Sequence, residues 1–205
     1  MREDGVVIIA GAGGVGREAL DACLAAGVAV TGFVDDALAG GTVRGLPVTG
    51  PDQVEPSAYL VGVASPAIRR QLVARLEQQG CSPETVVHPR AIVGPETTLG
   101  EGCLVLGGAH VSSSIAIGRH CQVHYNATVG HDAVLRDFVT VYPGANVSGS
   151  VTLEQDVTVG SGAIVLQGLT VGAGAFVGAG AVVTGDVPPG TVVVGSPARA
   201  LHPRS

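Results

Sequence analysis

The stretch VHYNATVGHDAVLRDFVTVYPGANVSGSVT, residues 123–152, divides into five groups of six. Each group opens on Val or Leu, and each carries Ala or Val at its fifth place. Extending the cut both ways without an insertion gives sixteen groups from Val93 to Pro188, with Val, Leu or Ile first in every one. Nothing charged or bulky stands at a fifth place, which runs Thr97, Cys103, Ala109, Ile115, Cys121 and onward to Val187. A period of six with two aliphatic places predicts a solenoid, in which each short strand buries its aliphatic residue against the next coil. The 32 glycines, 3% aromatics and absence of Trp fit a narrow core of Val, Ala and Thr.

Residues 5–87 follow a different pattern. GVVIIAGAGGVG is an apolar run closing in glycines, and REALDACLAAG places Ala19, Leu20, Cys23 and Leu24 on one helical face before Gly27 ends it. VAVTGFVDD and SAYLVGVA read as further strands. SPAIRRQLVARLEQQG reads as a helix with a stripe of Ile68, Leu72, Val73 and Leu76, stopped by Gly80. Strands alternating with helices predict a parallel sheet with crossover helices. The expected organisation is a Rossmann-like βαβ domain over 1–87 and a β-solenoid domain with a C-terminal tail over 88–205, an α/β unit followed by an all-β unit.

Within the first unit, Gly11, Gly13 and Gly16 satisfy G-x-G-x-x-G, with Gly14 between them. The motif follows a strand, opens a helix, and has Asp35 and Asp36 at the end of the next strand. That context predicts phosphates at the helix N-terminus, with an acid on ribose or base donors. The segment GVASPA, residues 62–67, is expected beside the ligand at the strand ends. A dinucleotide usually spans two βαβαβ halves, and the chain ahead of the repeat suffices for one. A mononucleotide or nucleotide sugar is the better fit, with a nicotinamide enzyme as the competing reading.

Several classes are disfavoured by composition. The net charge is −6 and the longest basic cluster is Arg69-Arg70, so no footprint for nucleic acid is expected. The apolar runs fall short of the ~20 residues of a membrane span. The charged Arg2, Glu3 and Asp4 and the glycines that follow do not form a signal sequence, so a cytoplasmic location is expected. Cys23, Cys81, Cys103 and Cys121 form no C-x-x-C pair and are expected to be buried and reduced.

The repeat resembles the hexapeptide family, whose chains wind as a left-handed parallel β-helix with 18 residues per coil. That resemblance implies about five coils for sixteen groups. The tail VPPGTVVVGSPARAL is similar to the segment by which such chains leave the helix. The segment GHDAVLRDFVTVYPGANVSG and the order of the two units resemble a narrower group. These are the nucleotide-linked amino-sugar N-acetyltransferases of the bacillosamine and perosamine type and the sialic-acid O-acetyltransferases. The resemblance implies acetyl-CoA as co-substrate, a UDP- or GDP-linked amino sugar as acceptor, and a homotrimer with acetyl-CoA between subunits. It also implies His131 as general base, Asp132 assisting it, Gly149 as oxyanion donor, and Ser161 and Ala179 along the acetyl-CoA channel.

The residues themselves support that assignment. His131 stands third in its group, a place expected to face outward or near a corner. One coil later, at 131 + 18, stands Gly149, expected to offer an exposed N–H above the imidazole. His88, His110, His120, His124 and His202 are expected to be solvated, and their spacing fits no metal site. Some members of the family have a second histidine where this chain has Thr140, and often Asn where it has His124. The acceptor, and N- versus O-transfer, stay open at this level. A sugar O-acetyltransferase and a non-catalytic nucleotide-sugar-binding scaffold are the alternatives.

Overall fold

The computed structural model describes residues 6–201. Arg2, Glu3, Asp4 and His202 lie outside the described residues.

The N-terminal unit is a six-stranded sheet in the order β3-β4-β2-β1-β5-β6. Its strands are β1 (Val7–Ala10), β2 (Val30–Val34), β3 (Thr42–Val43), β4 (Leu46–Thr49), β5 (Ala58–Val61) and β6 (Ser82–Pro83). β1 pairs in parallel with β2 and β5, and β5 with β6, while β3 alone runs antiparallel to its neighbour β4. Helix α1 (Gly14–Ala25) crosses over from β1 to β2, and α2 (Pro66–Gln78) from β5 to β6. This is the expected parallel sheet, with both helices where the apolar spacing placed them.

Their buried faces differ in detail from the expectation. On α1, Ala19, Leu20 and Cys23 are buried but Leu24 is exposed, because the inward stripe continues through Ala22 instead. On α2, Val73 and Leu76 are buried and Leu72 half-buried, but Ile68 is exposed and Arg69 takes the inward place. That helix lies between its own sheet and the solenoid, so one inward position must meet the solenoid's polar backbone.

The C-terminal unit is a left-handed parallel β-helix. Its three faces are built from two-residue strands, each paired in parallel with the strand 18 residues on, as in Thr128↔Asn146 and Thr140↔Thr158. All first places from Val105 to Val183, and nearly all fifth places, are buried in one core. The pairing starts at Val86–Val87, six residues before the first group read from the sequence. Val87 and Ala91 both pack against the solenoid core, as first and fifth residues of a further group. With Val192–Val194 closing the other end, the first face has seven parallel rungs, two more than the five that the sixteen groups place on it.

The corners explain how side chains reach the surface. The fourth place of every group from Glu96 to Gly180 has φ between +54° and +77°. This left-handed conformation favours Gly, Asn and Asp, and seven of the fifteen places hold Gly (102, 108, 144, 162, 168, 174 and 180), with Asn126, Asp132 and Asp156 among the other eight. His120 and Phe138 are the bulky exceptions, and both face the N-terminal unit.

Candidate active site

At the corner after Thr128–Val129, His131 and Asp132 are neighbours in sequence. On an extended strand they would point to opposite faces. Asp132 instead has φ +59°, and the turn swings its carboxylate beside the imidazole, with Nδ1 to Oδ2 at 2.7 Å. Both side chains are about 60% exposed, at 59% and 60%. The carboxylate favours the tautomer with its proton on Nδ1, which leaves the lone pair on Nε2.

That lone-pair nitrogen faces the next coil. A Cβ built on Gly149 would lie 2.7 Å from Nε2 and 2.8 Å from Cε1 of His131. Any side chain at 149 would therefore strike the ring. The coils are locked here by Ser150 N–H donating to the His131 carbonyl at 2.7 Å. Among the described residues no acceptor takes the Gly149 N–H. As a residue Gly149 is buried, with the imidazole of His131 lying against it.

The glycine loop divides into two roles. Gly11 has φ +99°, and a Cβ there would press on Val63 and Gly62; one on Gly16 would overlap the Gly11 carbonyl. These two glycines allow helix, loop and strand to approach closely. Gly13 and Gly14 are exposed with open space around them, at the N-terminus of α1, where no side chain caps the helix. Asp35 accepts the Ala12 N–H on Oδ2 and the Ala37 N–H on Oδ1, both at 3.0 Å, so its carboxylate shapes the loop. Asp36 turns away to Arg75, 3.1 Å distant.

Ser161 and Ala179 stack on one another, tied by the Gly180 N–H donating to the Ser161 carbonyl at 2.9 Å, and both are exposed. They occupy the corner after the first face, whereas His131 and Gly149 occupy the corner after the second. One chain thus assembles three separate parts: the histidine corner, the Ser161–Ala179 corner and the glycine loop.

Two histidines expected in solvent are not there. His120 and His124 are 1% and 2% exposed. His120 stacks between Tyr59 and Phe138, with ring centroids 6.1 and 5.1 Å away, and His124 stacks on Tyr142 at 5.3 Å. Burial pushes both imidazoles down to about 4. Thr140 is fully buried too, donating to the Ala64 carbonyl at 2.9 Å and accepting from Arg69 at 3.0 Å. It belongs to the junction between the units. The signal for this junction was present in the fourth places, where His120 and Phe138 replace the usual small residues.

A cleft of about 670 Å³ opens between α2 and the first face, lined by Ser65, Pro66, Arg70, Thr158 and Phe176 among others. Arg70 crosses its edge to Asp156 with contacts of 2.8 and 2.9 Å. Among the described residues, no cluster of three or more His, Cys, Asp or Glu could hold a metal ion, and no helix is long and apolar enough to cross a membrane. The four cysteines are buried and unpaired.

The PglD N-terminal domain model matches residues 6–76. The acetyltransferase domain of PglB from Neisseria gonorrhoeae FA1090 is similar at 34% identity over 96% of this chain and 99% of that one, with a TM-score of 0.88. It has also been solved in complex with acetyl coenzyme A. WeeI from Acinetobacter baumannii AYE is 32% identical over 96% of this chain and 99% of that one, with a TM-score of 0.88. This chain belongs to the PglD-type family of sugar acetyltransferases. A variant of perosamine N-acetyltransferase from Caulobacter crescentus, in complex with CoA and GDP-perosamine, is 29% identical over 98% of each chain, with a TM-score of 0.91. No curated protein sequence matches this acetyltransferase. The enzyme is therefore an acetyl-CoA-dependent acyltransferase.

Proposed function

We propose that this acetyltransferase moves an acetyl group from acetyl-CoA to the amino group of a nucleotide-linked amino sugar, at the corner formed by His131 and Gly149. The observation that carries the reading is the direction of the imidazole. Nδ1 is held by Asp132, and Nε2 is turned toward a glycine whose N–H has no other partner.

The chemistry follows from that geometry. The neutral amine of the sugar attacks the thioester carbon, forming the C–N bond as the carbonyl electron pair moves onto oxygen. The Gly149 N–H donates to this oxyanion. Nε2 of His131 removes the proton that the nitrogen must lose. Collapse of the tetrahedral intermediate breaks the C–S bond, releasing the amide and the CoA thiolate, which recovers the proton from the imidazolium. Asp132 keeps the tautomer that makes Nε2 the base.

Gly13 and Gly14 would hold the diphosphate, since the open N-terminus of α1 offers unsatisfied N–H groups to an anion. Asp35 would act through the loop it ties to Ala12, more than through ribose directly. Ser161 and Ala179 line the acetyl-CoA path. They lie one corner away from Gly149, which favours a homotrimer in which neighbouring subunits bring the two corners together around acetyl-CoA, in the cytoplasm where that donor is made.

The test is a panel of UDP- and GDP-linked 4-amino sugars together with sialic acid, each with acetyl-CoA, read as free CoA thiol and as acetylated product mass. Product from an amino-sugar nucleotide is expected. Acetylation of sialic acid alone would replace N-transfer by O-transfer, and nucleotide-sugar binding without thiol release would leave a binding scaffold.

A further inference from the structure

The junction between the two units is held by one buried cation. Arg69 is 1% exposed. Its Nη1 donates to the carbonyls of Val63 and Ala64 at 2.9 and 3.0 Å. Its Nη2 donates to the Phe138 carbonyl at 2.6 Å, to the Val139 carbonyl at 3.4 Å and to Thr140 Oγ1 at 3.0 Å. Every acceptor is neutral. Burial lowers the guanidinium to about 10, so it keeps its charge at neutral pH.

A buried charge with no carboxylate among its hydrogen-bond partners is costly, and a purely apolar contact would join the units without it. What the fork achieves is geometric. One half grips the loop after β5 and the other grips the solenoid corner Phe138–Val139 and the side chain of Thr140, where the strand Thr140–Val141 begins. Thr140 completes the link by donating to the Ala64 carbonyl, and the Gln122 amide donates to the Val61 carbonyl at 2.8 Å one coil below. The gripped loop is sandwiched. On one side Val63 and Gly62 press on Gly11 of the glycine loop, and on the other Ser65 and Pro66 wall the cleft facing Thr158 and Phe176.

We propose that Arg69, with Thr140, is a positioning residue for the acceptor: it fixes the β5–α2 loop against the solenoid and so sets the acceptor-binding surface relative to the corners where transfer occurs. This rests on the reading that the N-terminal unit holds the nucleotide sugar. Acetyl-CoA, bound along corners of the solenoid, does not depend on the clamp.

The test uses the full-length Arg69→Lys, Arg69→Met, Thr140→Val and Thr140→Ser enzymes. An ammonium cannot span both sets of carbonyls as the planar fork does, so Arg69→Lys is expected to behave like Arg69→Met. Both should raise the KM for the amino-sugar nucleotide about tenfold, the loss of roughly one buried hydrogen-bonded link, with the KM for acetyl-CoA within twofold. Thr140→Val should do the same more mildly and Thr140→Ser should restore it, which keeps the test open if the Arg69 variants do not fold. Equal KM changes for both substrates, or a lowered Tm with neither KM changed, would reduce Arg69 to a structural tie. Hydrogen exchange separates the clamp from the functional reading. Faster exchange at residues 62–66 in Thr140→Val supports the clamp even if no sugar is acetylated, and unchanged exchange there overturns it.

Discussion

His120 and His131 sit on corners of the same solenoid, eleven residues apart, and have opposite fates. His120 occupies a fourth place, covered by the N-terminal unit, between Tyr59 and Phe138, with neither ring nitrogen hydrogen-bonded. His131 occupies a third place, open to solvent, with one nitrogen on Asp132 and the other toward Gly149. The backbone beneath them repeats every 18 residues. What differs is the cover. A docked domain turns one histidine into a neutral packing group, while an uncovered corner leaves the other open to solvent.

The sharpest way to break this contrast is to truncate each ring. His131→Ala should lower kcat by about 10²–10⁴-fold, the contribution of a general base, with Tm unchanged because the ring is mostly exposed. Steady-state kinetics beside a thermal melt would check it; near-full kcat on a confirmed substrate would remove His131 from the mechanism. His120→Ala should show the reverse. Loss of a buried stacked ring is expected to cost about 2–4 kcal/mol of stability, with kcat at 25 °C close to that of the parent. Denaturant unfolding reads the first, and a large fall in kcat without destabilisation would contradict the assignment.

Acid titration sharpens the same comparison. His120 and His124 have native values lowered by burial to about 4, below the ordinary 6.5. Between those values the unfolded chain binds protons that the native one refuses, so stability falls as pH drops from about 6.5 toward 4. Above that window the two histidines contribute no pH dependence. Replacing both by Phe keeps the stacking against Phe138 and Tyr142 and should flatten this part of the Tm–pH curve. A curve parallel to the parent's would show that neither histidine is held neutral.

The solenoid was legible because its core follows one rule: Val, Leu or Ile first and a small residue fifth, a periodicity set by backbone geometry and independent of the other unit. The stacking of Gly149 on His131 needed one thing more, the 18-residue coil, which the resemblance to the hexapeptide family implies and the strand pairing Thr128↔Asn146 shows. The junction was not. Whether Arg69 or Ile68 turns inward on α2, and whether Thr140 or His124 meets solvent, depends on which face of one unit lies against the other. Both α2 positions fit an amphipathic helix, and only the docked solenoid, with the corner carbonyls of Phe138 and Val139, makes the arginine the inward one.

The smallest expected effect concerns Asp132. Its contact with His131 is an exposed pair, and such pairs contribute about 0.2–1 kcal/mol, a factor of at most about five in rate if it acts fully in the transition state. Asp132→Asn retains a hydrogen-bond acceptor and tolerates the left-handed φ of +59° that the corner requires. It should therefore lower kcat less than fivefold in an isolated corner. In the proposed trimer the neighbouring subunit would exclude water from the same pair, and the charge would then be worth more. A loss well above tenfold in Asp132→Asn, with sedimentation showing an intact trimer, would place the corner inside a desolvated interface; a loss below fivefold would leave it open in the working enzyme. Either result measures how far a partner subunit does for His131 what the N-terminal unit does for His120.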